Sequence, residues 1–123
     1  MDSTEKLKDF LDRDRNVVFA LIFGSYAEGR QKKISDIDTG IYFIQPPEGM
    51  DLLYLINTLS ELAGREVDVV VLNNAPPFLR HQIMKNRVIL TIKDMAAYTR
   101  FREKTISDYD EYKYISGMNV YDR

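Results

Sequence analysis

Val17 to Phe43 reads VVFALIFGSYAEGRQKKISDIDTGIYF. Val17 to Phe23 is an unbroken apolar run of strand length, rich in β-branched and aromatic residues. With no polar alternation, it predicts a strand covered on both faces. Gly24 ends the run. Ser25 has Glu28 three residues on, the sequence form of a capping box, so a short helix is predicted from Ser25 to the next glycine, Gly29. Such a turn leaves free backbone N–H groups at its start. After the basic link Arg30-Gln31-Lys32-Lys33 a second strand is predicted from Ser35 to Phe43, and a period of two places Asp36 and Asp38 on one of its faces. Two carboxylates that close raise each other's pKa unless a cation lies between them, so the pair reads as a divalent-metal site.

The chain on either side completes the sheet. Ser3 to Asp14 carries Leu7, Phe10 and Leu11 at helical spacing between charges, an amphipathic helix that packs on the sheet. Gln45-Pro46-Pro47-Glu48-Gly49 is a loop. Asp51 suits an N-cap, the apolar residues from Leu52 to Ala63 follow a helical period, and Gly64 suits the C-terminal stop. Glu66 to Leu72 is a third strand. Strand, helix and strand of this length form a βαβ unit, so strands two and three are expected to run parallel with a right-handed crossover. Asp68, the only aspartate in strand three, then joins Asp36 and Asp38 at one end of the sheet. The Gly24-Ser25 turn reaches that end if strands one and two are antiparallel, so a mixed sheet gathers all five residues. Further on, a helix is predicted over Phe78 to Asn86 with Pro77 in its first turn, then a strand from Arg87 to Ile92. A last helix follows from Met95 through Tyr98 and Phe101, with room to continue beyond, capped by Asp94.

Each feature has a bland counterpart. A Gly-Ser turn with a capping box is common at helix starts, and two strand aspartates can be a solvated edge. Asp is nevertheless disfavoured in strands, and here two enter an apolar segment on one face, next to the turn. Arg30, Lys32 and Lys33 read as a solvated loop, or as cations facing a polyphosphate. His81, the only histidine, reads as a surface residue on a polar helix face.

The combination of Gly24-Ser25, ten intervening residues and Asp36-Ile37-Asp38 resembles the signature of the DNA polymerase β-like nucleotidyltransferase superfamily, and the length resembles its minimal (MNT) branch. The resemblance implies an α/β (α+β) fold with a mixed sheet of about four strands flanked by helices. One domain over residues 1–123 is expected, with the core motif at 17–72. It further implies transfer of AMP from ATP to a hydroxyl acceptor. Two Mg²⁺ ions would be held by Asp36, Asp38 and Asp68, the three catalytic carboxylates, while Gly24, Ser25 and Arg30 would hold the nucleotide. Tyr26 and Glu28 stand where many minimal members carry basic residues.

Chains of this branch are similar to the MntA-type antitoxins of HEPN/MNT toxin–antitoxin pairs, in which the enzyme adenylylates a tyrosine of its HEPN ribonuclease partner. Residues 94–123, with five of the eight tyrosines, are the expected partner-binding segment. An aminoglycoside-type transferase acting on small molecules and a non-catalytic binding antitoxin are the alternatives.

Composition agrees with an ordinary globular domain: 45% hydrophobic and 29% charged residues exclude a disordered or fibrous chain. There is no cysteine, which excludes disulfides and thiolate metal sites. The opening MDSTEKLKDF lacks the apolar core of a signal peptide and no apolar run approaches bilayer length, so a cytoplasmic location without membrane contact is expected. A net charge of −2 gives no general drive toward nucleic acid, and no direct binding of it is expected.

Overall fold

The computed structural model describes residues 2–27 and 36–121. Four strands, β1 (Val17–Phe23), β2 (Ile37–Phe43), β3 (Val67–Val71) and β4 (Val88–Ile92), form one sheet in the order β3-β2-β1-β4. β1 runs antiparallel to both β2 and β4, whereas β2 and β3 are parallel, as the βαβ reading requires. The helices are α1 (Ser3–Arg13), α2 (Gly24–Ala27), α3 (Gly49–Ala63), α4 (Pro77–Lys85) and α5 (Met95–Tyr121).

The unbroken apolar run of β1 is explained by two cores. Ala20 and Ile22 face a cluster built with Leu7 and Leu11 of α1 and with Leu55 and Leu59 of α3. Phe19 and Leu21 face a second cluster with Ile83 and Met84 of α4 and Tyr98 and Phe101 of α5. Successive β1 side chains therefore meet helices on opposite faces, and no position is left for a polar residue. Phe19 is the hub of the second cluster. Its ring stacks on Tyr42 at 5.2 Å and meets Tyr98 and Phe101 edge-on at 5.1 and 5.3 Å.

Several boundaries differ from the sequence reading. Asp51 does not cap α3: Glu48 holds the cap position without a side-chain bond, and the Asp51 amide donates to the Glu48 carbonyl at 3.2 Å inside the first turn. Gly64 does end that helix, in the left-handed region at φ 70°. β3 stops at Val71, and Leu72–Asn74 form a 3-10 turn. From that turn the Asn73 side chain bonds both the amide and the carbonyl of Phe43, at 2.9 and 2.8 Å. Asp94 caps α5 as expected, accepting from the Ala97 amide at 3.1 Å. His81 is not a plain surface residue: its ring is half-buried and stacks on Tyr109 at 3.6 Å between centroids. The expected end of α2 at Gly29, the basic link and Ser35 lie outside the described residues.

α5 is about 40 Å long at 1.5 Å per residue. It is too polar to cross a membrane, and no other helix among the described residues is long and apolar enough. Arg80 of α4 ties it down, donating to Ala75 O at 2.9 Å, to Thr105 Oγ1 at 3.4 Å and to Asp108 Oδ2 at 2.8 Å. The Arg80 and Lys104 charges hold the Asp108 carboxyl below the usual carboxylate range. Beyond Asp108 the helix carries exposed aromatics, Tyr112 and Tyr114.

Truncating the hub measures how much the second core contributes. Phe19→Ala is expected to lower unfolding free energy by about 3–5 kcal/mol, and Phe19→Leu by much less, because the leucine refills most of the cavity. Urea denaturation of the two variants checks this.

Candidate active site

The chain directions bring the end of β1 and the starts of β2 and β3 to the same end of the sheet. Phe23, the last residue of β1, pairs with Asp38, and Asp38 in turn pairs with Asp68 across the parallel ladder. Asp36 lies two residues before Asp38, just outside β2. The start of the β2–β3 pairing is held by polar bonds. The Ile37 amide donates to Glu66 O at 2.9 Å, the Thr39 hydroxyl to Asp68 O at 2.7 Å, and the Val67 amide to the Ser60 hydroxyl of α3 at 2.9 Å. Asp36 and Asp68 are exposed, and Asp38 is half-buried.

Gly24 is fitted to Asp38. Its φ of 74° is left-handed, and a Cβ placed on it would stand 2.6 Å from Asp38 Oδ2. The turn backbone therefore lies directly against the carboxylate, an approach that only glycine permits. α2 is anchored from its other side. Tyr26 packs on the first core, its ring lies 5.5 Å beneath the Arg65 guanidinium, and its hydroxyl is 3.5 Å from Thr4 Oγ1.

The Asp38 carboxyl is pushed above the usual carboxylate range, first by burial and then by the charges of Asp68 and Asp36. The charges of both other aspartates thus act on Asp38. Among the described residues no three acidic or imidazole side chains converge closely enough to form a ready-made metal cluster. Asp36 and Asp68 are exposed, and Asp38 is half-buried between them in sequence order. The donor set is nonetheless all oxygen, which is the chemistry a hard divalent cation takes.

Of the residues singled out from sequence, Gly24, Asp36, Asp38 and Asp68 are brought together. Arg30 and the Ser25 side chain lie outside the described residues. Thr39 and Ser60, which hold the carboxylate-bearing strands in register, are additions from the structure. The one hint in the sequence was a lone threonine in an apolar strand. A cleft of about 510 Å³ among Asn16, Gln45, Pro46, Pro47, Glu48 and Asp51 lies at the opposite end of the sheet, and none of the three aspartates lines it.

A family model described as "Polymerase beta, Nucleotidyltransferase" matches residues 5–96. The chain belongs to this nucleotidyltransferase family. It is similar to a "Putative protein adenylyltransferase" of Methanocaldococcus jannaschii, 42% identical over 69 residues, which cover 56% of this chain and 74% of the relative. Its fold is similar to a chain of a toxin–antitoxin assembly crystallised with AMP-PNP, with a TM-score of 0.83 at 24% identity over 99% of this chain and 98% of that one. It is also similar to a chain in a complex of a tri-AMPylated Shewanella oneidensis HEPN toxin with an MNT antitoxin, with a TM-score of 0.76 at 22% identity over 97% and 94% of the two chains. The chain is therefore a nucleotidyltransferase on a four-stranded mixed sheet of the polymerase β-like kind.

Two predictions follow from the contact between Gly24 and Asp38. In Gly24→Ala the easiest relief of the clash is rotation of the Asp38 side chain, so the fold is expected to persist while nucleotidyl transfer falls about 100-fold. Transfer assays paired with circular dichroism separate the two effects. In Asp38→Asn the metal-free protein is expected to gain thermal stability. Asp38 has a higher pKa folded than unfolded, so its ionised form opposes folding fully above the folded pKa. That opposition fades as pH falls through the folded value. Calorimetry in chelator is expected to show Tm higher by about 2 °C at neutral pH, with the gain vanishing toward pH 4.

Proposed function

We propose that the chain transfers AMP from ATP to a tyrosine hydroxyl of a HEPN-class ribonuclease, and so serves as the antitoxin half of a toxin–antitoxin pair. The observation that carries this reading is the half-buried Asp38 between Asp68 and the Gly24 backbone. The name of the archaeal relative and the fold shared with chains of toxin–antitoxin assemblies support it.

Asp36 and Asp38 would hold two Mg²⁺ ions, with Asp68 holding the one on the acceptor side. When bound, the ions would neutralise the triphosphate and lower the pKa of the acceptor hydroxyl. The chain's own groups do the remaining work. The turn at Gly24 and Ser25 offers backbone N–H groups to the phosphates that depart as pyrophosphate, with Arg30 as a further cation toward them. Gly24, lacking a Cβ, lets the Asp38 carboxylate lie against the turn. Asp68 is exposed at the outer strand, where an acceptor can arrive, and it orients the hydroxyl or takes up its proton. The bond between the α-phosphorus and its bridging oxygen breaks as the acceptor oxygen bonds to that phosphorus.

Most of α5 lies beyond the matched residues 5–96. Its far half, with Tyr109 and the exposed Tyr112 against Phe78 and with Tyr114 exposed, supplies a partner-docking face of the aromatic kind common at interfaces.

The test combines the chain with a HEPN toxin, ATP and Mg²⁺, and reads the toxin's mass. A gain of about 329 Da per AMP is expected, the mass left after pyrophosphate departs. Asp36→Asn and Asp38→Asn should abolish it. Asp68→Asn should also abolish it while sparing ATP affinity, and EDTA should weaken ATP binding in calorimetry. If the Asp36→Asn protein neutralises the toxin fully with no added mass, the chain acts by binding alone.

A further inference from the structure

We propose that the outer edge of β3 is the acceptor-binding site, where an extended segment of the partner polypeptide adds to the sheet as a further strand and brings its tyrosine level with Asp68. The inference rests on the reading above that the acceptor is a polypeptide. β3 is the terminal strand of the sheet and, among the described residues, pairs only with β2.

Three hydrogen bonds fix which backbone groups face outward. Glu66 O accepts from the Ile37 amide, so it faces β2, and Asp68 O accepts from the Thr39 hydroxyl on that same side. The Val67 amide turns away and donates to Ser60 of α3. Backbone groups alternate sides along a strand, so Val69 and Val71 face outward with Val67, whereas Val70 faces β2. The Ser60 hydroxyl serves Val67, accepting from its amide and donating to its carbonyl at 3.5 Å. Among the described residues no strand pairs with the amide and carbonyl of Val69 or the amide of Val71, which leaves them for an incoming strand.

Natural proteins block such edges with lysine, proline, bulges or a covering element. β3, Val-Asp-Val-Val-Val, carries none of those residues, and its register with β2 advances one residue at a time from Ile37–Val67 to Ile41–Val71 without a bulge. The helices cover its faces, with Val69 packed against the first core and Val70 against the second, and among the described residues no strand pairs with its outer edge. The single charge on the strand is Asp68. A residue opposite Asp68 on an added strand presents its side chain on the Asp38–Asp68 face, with its Cβ about 5 Å from that of Asp68. Because Ser60 closes the ladder at Val67, that residue sits at the end of the pairing and is free to turn toward Asp38.

Charge decides the occupant. Among the described residues at this end, the carboxylates of Asp36, Asp38, Asp68 and the exposed Glu66 outnumber the one cation, Arg65. A second copy pairing through its own β3 would bring another Asp68 into repulsion. A partner segment with neutral or basic residues around its tyrosine meets no such penalty.

The test uses Val69→Pro, which removes an outward amide that the β2–β3 ladder does not need. The probes are a HEPN toxin and a synthetic peptide spanning its acceptor tyrosine, each with ATP and Mg²⁺. Loss of backbone pairing at Val69 is expected to raise KM for both about tenfold, with ATP affinity and Tm unchanged. On the wild-type chain, bound peptide should slow amide hydrogen exchange at Val69 and Val71 about tenfold and leave Val70 unaffected. Transfer by Val69→Pro at the wild-type KM, or bound peptide without protection of Val69 and Val71, overturns the inference. Protection of those amides at high protein concentration without a partner also overturns it, in favour of self-pairing. If the wild-type chain transfers no AMP, the reading above fails, and protection by the bound toxin still decides whether the edge is the docking site. Should Val69→Pro fail to fold, the exchange measurement on the wild-type chain stands alone.

Discussion

Everything at the candidate active site depends on β2 running antiparallel to one neighbour and parallel to the other. The antiparallel pairing brings the end of β1, and so the turn at Gly24, beside Asp38. The parallel pairing brings the start of β3, and so Asp68, to its other side. Had both pairings been parallel, the turn would stand at the far end of the sheet from the aspartates, some 20 Å away at about 3.3 Å per residue. The crossover helix α3 makes the parallel pairing possible, and Ser60 on that helix bonds β3 at the first residue of the ladder.

This arrangement sets site against stability. Burial and the neighbouring charges both disfavour an ionised Asp38, and the left-handed Gly24 holds backbone against it. A sheet built only for stability would place a valine there, as β3 does at three of its last three positions. The two cores offset the penalty. β1 contributes to both, and the stacked and edge-on rings around Phe19 lie well away from the carboxylates.

The strand–turn–strand–helix–strand order was legible because period and punctuation agree there: an unbroken apolar run, a glycine, a return strand with two aspartates, and a helix closed by Gly64. The adjacency of Asp38 and Asp68 followed from the parallel βαβ rule without any view of a side chain. Other features depend on contacts between residues distant in sequence. α5 continues past Phe101 although its later residues show no clear apolar stripe, because Arg80 reaches Thr105 and Asp108 and Tyr109 stacks on His81. The same stack withdraws His81 from the surface role its polar neighbours imply. Asp51 looked like a cap by residue type, yet the helix starts one turn earlier, after Pro46-Pro47 has set an extended approach to Glu48.

The length difference between β2 and β3 shows how the sheet treats unpaired backbone. β2 is two residues longer than β3, so Phe43 has no strand neighbour on that side. Asn73 supplies one, its side-chain amide accepting from the Phe43 N–H and donating to the Phe43 carbonyl as a strand would. At the other end Ser60 closes the Val67 amide. Side chains therefore close the pairing at both ends of the β3 ladder, one on β3 itself and one on β2 just past it. Buried backbone groups need such partners, and groups in contact with water do not. Val69 and Val71 lie on the side of β3 away from β2, where among the described residues no strand pairs with them, and backbone groups without a protein partner bond water. Water leaves more readily than a serine or an asparagine held by the fold. A short stretch of backbone beside Asp68 is thus kept ready for exchange with another strand, while the pairing on either side of it is fixed.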